Sequence, residues 1–333
     1  MLQIFLLAVK SYLPRIFVLI CIFFLNSCFR ERPIERLEFL MGTYARVNIF
    51  GGTDRDVDAA FSKIRDLDNL LSDYKPESQI SQINRSSGKT PIEVSNEVKE
   101  ILQMALGVAR ETNGTFDPTI GALTIGLYHF GRENARLPTD EEINKAKSLV
   151  NYRWVKIEGN LVFLEKEGMM LDLGGIGKGF AVDKAVEALK KRGIKKGIVS
   201  ISGDMRAFGG DWLVGIKHPR KEDTIATFKT EGRDLAISTS GDYERYVKKG
   251  NKIYNHILDP RSGKSAGDFQ SITVIMEGNN TLADAYATSL FAMGKERALG
   301  FLSNHPEIGV FMVFSNGEIY YNDKFKRLVE FKN

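Results

Sequence analysis

The sequence predicts an α+β fold, built as a single unit behind an N-terminal export signal. Three observations lead to this prediction. Short β-rich runs separated by glycine-rich turns dominate from residue 152 onward, strands outnumber helices, and the strict strand-helix alternation of a doubly wound sheet is missing. A further strand is predicted over 42–51, and neither an internal repeat nor a low-complexity segment is found.

Helices are predicted where apolar residues recur three and four positions apart. Segment 54–74 has this spacing, and its apolar face consists of Val57, Phe61, Ile64, Leu67 and Leu71. A second helix is predicted over 96–112, with Asn113 and Gly114 as its stop. Two more interrupt the β-rich half, over 179–193 and 282–304.

The N-terminus reads as an export signal. Lys10 and Arg15 precede "IFVLICIFFL", an apolar run too short for a membrane span of about 20 residues but suited to a signal core of about 7–15. The following "LNSC", ending at Cys28, resembles the bacterial lipobox, in which the chain is cut before the cysteine and lipid is attached to it. A plain cleaved signal and an uncleaved anchor are the alternatives. We therefore predict a lipoprotein signal peptide over 1–27, a charged tether over 28–38 and a folded domain over 39–333.

Composition narrows the possible chemistry. The two cysteines are Cys21, in the predicted signal, and Cys28, so the folded body offers no disulfide, cysteine metal site or cysteine nucleophile. Removing 1–27 takes away two cations and no acid, which lowers the net charge from +4 to +2. This near balance gives no support to nucleic-acid binding.

The stretch "MMLDLGGIGKGFAVDKAVEALKKRG", 169–193, looks like a nucleotide-binding loop between a strand and a helix. A P-loop is excluded because Asp172 stands six residues before Lys178 and Gly179 follows it. A dinucleotide fingerprint starting at Gly175 would need its third glycine at Phe180. What remains is a carboxylate, free backbone groups and an ammonium near a helix start, which suits an anionic ligand or a cation. Alternatively, Asp172 caps the helix and Lys178 is solvated.

Three other groups of side chains could bind a ligand or take part in catalysis. Asp284 and Thr288 lie four apart on one helix face, a spacing that can hold Mg²⁺, although Thr281 and Asp284 also fit a capping box. His256 precedes an Asp-Pro turn and could carry a proton, or could be structural. Phe116 and Asp117 could stack on and hydrogen-bond a flat ring or start a turn, and Tyr74 is equally ambiguous.

Together and in order, eight segments resemble the ApbE-type flavin transferases, the FAD:protein FMN transferases. They are "MGTYARV" at Met41, "LSDYKPESQISQIN" at Leu71, "GTFDPTIGAL" at Gly114, "LDLGGIGKGFAVD" at Leu171, "ISGDMRAFG" at Ile201, "AISTSGDYERY" at Ala236, "HILDPRSG" at His256 and "ADAYATSLFAMG" at Ala283. Two departures are Gly177, where alanine is common in the family, and Ser202, where a second glycine often stands.

The resemblance implies a fold, a reaction and roles for particular residues. The fold would be ApbE-like, with T-fold-like mixed sheets packed with helices. Asp284 and Thr288 would bind Mg²⁺ with backbone oxygens of Gly175 and Ala287, and His256 and Asp284 would be catalytic. The implied FAD contacts are Met41, Tyr74, Thr115, Phe116, Asp117, Asp172, Lys178 and Leu258.

The implied activity is Mg²⁺-dependent transfer of FMN from FAD to a threonine or serine hydroxyl of an acceptor protein, with release of AMP. The acceptor would be a flavoprotein subunit of a membrane redox complex. The enzyme would be exported and held by lipid on Cys28 at the periplasmic face of a bacterial inner membrane. Alternatives are an FAD pyrophosphatase that yields FMN and AMP, a non-catalytic flavin-binding lipoprotein, and a purely structural lipoprotein.

Overall fold

An eight-stranded antiparallel sheet forms the centre of the fold. The computed structural model describes residues 32–250, 252–328 and 330–331. The sheet has the order β1-β2-β6-β7-β10-β15-β16-β17, and a three-stranded sheet β18-β9-β8 packs beside it. The small sheets are β3-β5-β4, β11-β12 and β13-β14. The α+β prediction is confirmed.

The strands are bounded as follows: β1 Ile34–Leu40, β2 Thr43–Phe50, β3 Ile92–Glu93, β4 Val155–Glu158, β5 Leu161–Leu164, β6 Lys196–Ile201, β7 Asp204–Phe208, β8 Leu213–Lys217, β9 Thr224–Lys229, β10 Leu235–Gly241, β11 Tyr246–Lys249, β12 Lys252–Asn255, β13 Leu258–Asp259, β14 Lys264–Ser265, β15 Phe269–Glu277, β16 Gly309–Phe314, β17 Ile319–Tyr321 and β18 Glu330–Phe331.

The helices are α1 Asp54–Leu71, α2 Gln79–Arg85, α3 Asn96–Glu111, α4 Gly121–Leu123, α5 Asp140–Lys147, α6 Gly177–Lys191, α7 Asn280–Met293, α8 Lys295–Ser303 and α9 Asp323–Leu328. A π-helical turn spans Thr124–Tyr128 and a 3₁₀ turn spans Tyr152–Trp154. None of the helices in the described part of the chain is long and apolar enough to cross a bilayer.

Two hydrophobic cores cover opposite faces of the central sheet. The larger core packs α1, α3, α6 and α7 against one face, and the smaller packs β8, β9 and α9 against the other. Strand β16 is buried on both sides, with Val310 and Met312 in the larger core and Phe311 and Val313 in the smaller. A strand buried on both faces needs a continuous apolar run, which is why residues 309–314 do not alternate in polarity.

The folded unit begins earlier than predicted, because β1 starts at Ile34 inside the segment expected to be a tether. Its inward positions include Arg36, and this charge masks the apolar alternation in the sequence. The guanidinium of Arg36 lies over the Phe61 ring at 5.3 Å and pairs with Asp58 at 2.7 Å. Backbone pairing with β2 along its whole length completes the strand. The predicted signal peptide, Cys21 and Cys28 lie outside the described residues.

Two predicted elements are wrong in detail. Residues 169–175 form no strand apart from one isolated bridge between Met170 and Ile120. The helix predicted over 282–304 is two helices, because Gly294 adopts a left-handed φ of 74° between α7 and α8. The predicted apolar face of α1 is confirmed, since its five named side chains are buried. The apolar residues at helical spacing in α3 are buried as well: Val98, Ile101, Leu102, Ala105, Val108 and Ala109.

Candidate active site

A single cleft collects nearly all of the residues that the sequence singled out. Its volume is about 720 Å³, and its walls come from the β1–β2 turn, the start of α6, one face of α7, and the loops after α3 and β12. The predicted residues that line it are Met41, Tyr74, Thr115, Phe116, Asp117, Asp172, Gly175, Lys178, His256, Leu258, Asp284 and Thr288. Ala287 is fully buried on α7 and is not a lining residue.

Two carboxylates and one ammonium meet where α6 begins. The Lys178 ammonium lies 2.5 Å from Asp204 Oδ2 and 3.8 Å from Asp284 Oδ2. Asp284 is only 3% exposed, and its Oδ2 also accepts a 3.0 Å hydrogen bond from the Gly179 amide. The expectation that Lys178 could be merely solvated is therefore wrong.

The charged groups of Lys178, Asp204 and Asp284 change one another's pKa values. Burial and the neighbouring Asp204 carboxylate raise the pKa of Asp284. Burial lowers the pKa of Lys178, but Asp204 and Asp284 raise it by more, so the net pKa lies above the ordinary lysine value. Asp284 is thus a buried carboxylate whose ionised form needs additional positive charge.

Thr281 and Asp284 do not form the capping box that their spacing allowed. The cap of α7 is Asn279, whose side chain accepts from the Leu282 amide. Thr288 lies one turn after Asp284, 3.3 Å from the Ser240 hydroxyl. Gly175 packs directly against it, since a Cβ on Gly175 would stand 2.9 Å from Thr288 Oγ1. The structure therefore brings together Gly175, Asp284 and Thr288 as predicted.

These donors fit a hard divalent cation. A carboxylate, a hydroxyl and nearby backbone carbonyls are the oxygen ligands that Mg²⁺ accepts. The two described contacts of the Asp284 carboxylate both use Oδ2. The described residues contain no group of three or more His, Cys, Asp or Glu side chains placed to hold a metal, so backbone oxygens or waters would have to complete the shell.

Asp172 is held by side chains and by one backbone hydrogen bond, which its amide donates to the Pro118 carbonyl at 2.8 Å. The Asn84 amide group donates to the Leu171 carbonyl at 3.0 Å and accepts from the Leu171 amide at 2.6 Å, taking the place of a partner strand. Asp172 then accepts from the Thr124 hydroxyl at 2.5 Å and from the Gly174 amide at 2.8 Å. It shapes the glycine turn without capping α6, which begins after Ile176 with no side-chain cap.

The loop after α3 contributes the buried Phe116 ring and Asp117, whose carboxylate is hydrogen-bonded to other protein groups. Phe116 is buried in the cleft wall. The Asp117 carboxylate accepts from the amide and hydroxyl of Thr119 at 2.8 and 2.6 Å, and from the Tyr152 amide at 2.9 Å. Both oxygens are thus occupied, so its carboxylate shapes the loop. Burial raises the pKa of Asp117 more than these bonds lower it.

Tyr74 and Met41 occupy the mouth of the cleft. The Tyr74 ring is stacked under the Arg132 guanidinium at 4.4 Å, and its hydroxyl donates to the Phe130 carbonyl at 3.3 Å. Met41 and Gly42 form the two-residue β1–β2 turn with φ of 52° and 73°. Two positive φ values define the type I′ hairpin turn, where methionine is unusual.

His256 is a neutral imidazole at the edge of the cleft. Its Nδ1 lies 3.1 Å from the Arg245 carbonyl, which can only accept, so Nδ1 carries the proton and Nε2 a free lone pair. Burial and the Arg245 guanidinium lower the pKa of His256 to about 4. Leu258, two residues on, belongs to a small apolar cluster with Leu123 and Tyr128.

Several residues of the site were not predicted from the sequence. Asp204 is almost fully buried, pairs with Lys178 and accepts from the Ser238 hydroxyl. Asn84 and Thr124 fix Asp172 from distant segments. Asp204 lies in "ISGDMRAFG", one of the matching segments, and that position was the available signal for it.

Comparison with known proteins identifies the class. The chain is 29% identical to the FAD:protein FMN transferase of Treponema pallidum (strain Nichols) over 92% of each chain. It is 30% identical to that of Vibrio cholerae over 75% of this chain and 76% of the relative. Among solved structures, it resembles the ApbE protein of Thermotoga maritima with a TM-score of 0.84 and 30% identity, covering 90% of this chain and 100% of the other. For the flavin transferase ApbE of Vibrio cholerae the TM-score is 0.79 at 26% identity, covering 90% and 99%.

The fold and the relatives together define an enzyme of the transferase class. The model of the ApbE family matches residues 41–312, which include all of the cleft-lining residues except Phe39 and Leu40. The chain belongs to the ApbE family.

Proposed function

We propose that the chain transfers FMN from FAD to a threonine or serine hydroxyl of an acceptor protein in a Mg²⁺-dependent reaction that releases AMP. The acceptor oxygen forms a bond to the FMN phosphorus, and the pyrophosphate bond to AMP breaks. One observation carries the proposal: a single cleft holds the Asp284–Thr288 pair, the Lys178 ammonium and a neutral histidine. The FAD:protein FMN transferase names of the relatives support it.

Asp284 and Thr288 would hold Mg²⁺ with backbone oxygens of Gly175 and Ala287. When bound, Mg²⁺ neutralises charge on the pyrophosphate and on the transferring phosphoryl group. Of these four residues, Ala287 is the one that is buried outside the cleft lining. Its position next to Thr288 on α7 is compatible with a role for its carbonyl alone.

Lys178 and His256 would have different roles in the transfer. The Lys178 ammonium stays charged beside Asp204 and can stabilise negative charge on the leaving phosphate. His256 is neutral at pH 7, and its free Nε2 can accept the proton that the attacking hydroxyl loses. Both side chains line the cleft, so substrate can reach them.

FAD would lie along the wall formed by Met41, Tyr74, Thr115, Phe116 and Leu258. Aromatic and apolar side chains on this wall suit a flat ring system. Asp172 and Asp117 would act mainly by shaping the two loops that contact the nucleotide, since their carboxylates bond to neighbouring protein groups.

An acceptor-labelling assay tests this function. The protein is incubated with FAD, Mg²⁺ and a candidate acceptor, and covalent flavin is detected by fluorescence on a denaturing gel while AMP and FMN are quantified. Labelled acceptor with equimolar AMP is expected. Steady release of FMN and AMP without labelling would establish an FAD pyrophosphatase instead, and flavin binding without turnover would establish a binding lipoprotein.

We further propose export, with lipid on Cys28 holding the enzyme at the periplasmic face of a bacterial inner membrane. The acceptor is then a flavoprotein subunit of a membrane redox complex exposed on the same side. The support is the N-terminal sequence alone: a charged start, a short apolar run and "LNSC". Mass spectrometry should find lipid on Cys28 at the mature N-terminus and no lipid in Cys28→Ala, and an unlipidated Cys28 in the unchanged protein would contradict the anchor.

A further inference from the structure

A buried carboxylate outside the cleft joins the two helices that build the candidate metal site. Asp183 lies on α6, one to two turns after Lys178, and is 7% exposed. Its Oδ2 accepts from the Thr281 amide at 2.8 Å and the Thr281 hydroxyl at 2.7 Å, and its Oδ1 accepts from the Asn280 amide at 3.0 Å. Asp183 therefore bonds to free amides in the first turn of α7.

Arg206 fixes the orientation of this carboxylate. Its Nη1 donates to Asp183 Oδ1 at 2.9 Å, while Nε and Nη2 donate to the two oxygens of Asp234 at 2.8 and 2.9 Å. The guanidinium is planar, and each of its three nitrogens donates to a carboxylate in one fixed geometry. Asp183 is thus both charge-compensated and held from the strand β7 side, which leaves α7 little freedom to slide along α6.

These bonds also fix the positions of Asp284 and Thr288, the two candidate metal ligands on α7. Asp284 lies one helical turn after Asn280, and Thr288 lies one turn further. The second link between the helices is the bond from the Gly179 amide to Asp284 Oδ2. Moving the first turn of α7 would therefore displace both Asp284 and Thr288 from Gly175 and Gly179.

We propose that Asp183 is a positioning residue for the divalent cation: it locks the start of α7 so that Asp284 and Thr288 face Gly175. This inference rests on the proposed function for the presence of Mg²⁺. Residues that orient metal ligands without touching the metal typically change metal affinity about 10–100-fold when replaced. A cap that served stability alone would change the free energy of unfolding and leave Mg²⁺ affinity unchanged.

Asp56 provides a matched control for this distinction. It is 8% exposed, accepts from the amide and hydroxyl of Thr53 at 2.8 Å each, and pairs with Arg192 at 2.6 Å. Like Asp183, it is a buried acid that accepts a hydrogen bond from a backbone amide at the start of a helix and pairs with an arginine. It serves α1, however, which carries neither Asp284 nor Thr288.

The test is Mg²⁺ affinity, measured by titration calorimetry on the FAD-loaded full-length protein. Asp183→Ala should weaken Mg²⁺ binding about tenfold or more, while Asp56→Ala should leave it within about twofold at a similar loss of thermal stability. Thr281→Val removes only the hydroxyl bond and should give a smaller weakening, which decides the question if Asp183→Ala does not fold. Thr281→Ser keeps that bond and should restore the affinity.

Other results of these titrations would contradict either the positioning role of Asp183 or the proposed function. Equal Mg²⁺ affinity in Asp183→Ala or Thr281→Val and the unchanged protein would overturn the inference, as would equal weakening in Asp56→Ala. If the unchanged protein bound no Mg²⁺, both the inference and the metal role would fail. Mg²⁺ binding without FMN transfer would contradict the proposed function alone and leave the positioning role of Asp183 intact.

Discussion

His256 combines a fixed tautomer with a depressed pKa. Donation from Nδ1 to the Arg245 carbonyl leaves Nε2 as the acceptor, and a pKa of about 4 keeps the ring neutral in the ordinary working range. General-base groups typically contribute about 10²–10⁴-fold to rate. His256→Ala should therefore lower kcat of FMN transfer by at least about 100-fold, with little change in KM for FAD.

His218 is a suitable control, because it lies at the end of β8 and does not line the cleft. His218→Ala should keep kcat within about twofold, as surface substitutions commonly do. Steady-state kinetics on both variants decide the matter. A His256→Ala enzyme with unchanged kcat would exclude the imidazole as the proton acceptor.

Met41 carries backbone strain at the cleft mouth. A non-glycine residue at φ of 52° in a type I′ turn costs about 1 kcal/mol or more, and asparagine is the favoured residue there. Its methyl lies 4.0 Å from where a Cβ on Gly177 would stand, so the strained turn brings its side chain close to α6. Met41→Asn should raise the free energy of unfolding by about 1 kcal/mol and raise KM for FAD. Urea unfolding and kinetics measure both, and a less stable variant with unchanged KM would contradict a strained FAD contact.

At the scale of elements, the close contact between α6 and α7 requires glycine at position 179 but not at position 177. A Cβ on Gly179 would stand 2.3 Å from the Asn280 carbonyl oxygen, which would force the helices apart, whereas a Cβ on Gly177 would have no neighbour nearer than 4.0 Å. Gly179→Ala should abolish transfer and destabilise the protein by about 1–3 kcal/mol.

Gly177→Ala is the matched control for this pair of helices. It should keep activity and gain up to about 1 kcal/mol, because alanine is the better helix former. Alanine at this position is also common in the family that the sequence resembles. Thermal unfolding and transfer assays on the two variants compare them, and equal behaviour of both would refute the packing argument.

Elements were predictable where local pattern and tertiary contact agree. The faces of α1 and α3 follow directly from apolar spacing. Segment 169–175 alternates like a strand, with Met169, Leu171 and Leu173 buried. Its partners are one isolated bridge to Ile120 and the Asn84 side chain, which no local pattern reveals. Strand β1 is the opposite case, because it is a strand without an alternating sequence pattern. Arg36 occupies an inward position there, and its charge is compensated by Asp58 and the Phe61 ring.

The site was predictable only where the resemblance supplied a role. Asp284, Thr288 and Lys178 carry weak signals in isolation and were assigned together through their segments. Asp183 and Asp204 carry no role from the sequence, because a lone acid has no spacing to a second functional side chain that distinguishes it. Their partners, Thr281 and Lys178, become neighbours only after folding.

For the whole molecule, His256 also predicts how stability depends on pH. Its pKa falls from an ordinary 6.5 to about 4 on folding, so the unfolded chain binds a proton first as the pH drops. Stability from this group is therefore present above pH 6.5 and is lost progressively towards pH 4. The loss between pH 7 and 5 should reach up to about 2 kcal/mol.

His256→Gln should remove this part of the pH dependence. Asp284 contributes with the opposite sign, because its raised pKa favours the protonated folded state as pH falls, and that contribution remains in both proteins. Urea unfolding at pH 7 and pH 5 measures the difference between the two proteins. Parallel losses of stability in the unchanged and His256→Gln proteins would contradict a neutral, partly buried imidazole.

Mg²⁺-dependent flavin transfer by this protein is expected to require one carboxylate, Asp284. The direct measurement is covalent flavin on the acceptor, read by fluorescence on a denaturing gel at several Mg²⁺ concentrations. Asp284→Ala should lose labelling at every Mg²⁺ concentration, while Glu222→Ala, whose side chain is 93% exposed, should label as the unchanged protein does. Mg²⁺-dependent labelling by Asp284→Ala at the unchanged rate would contradict the account.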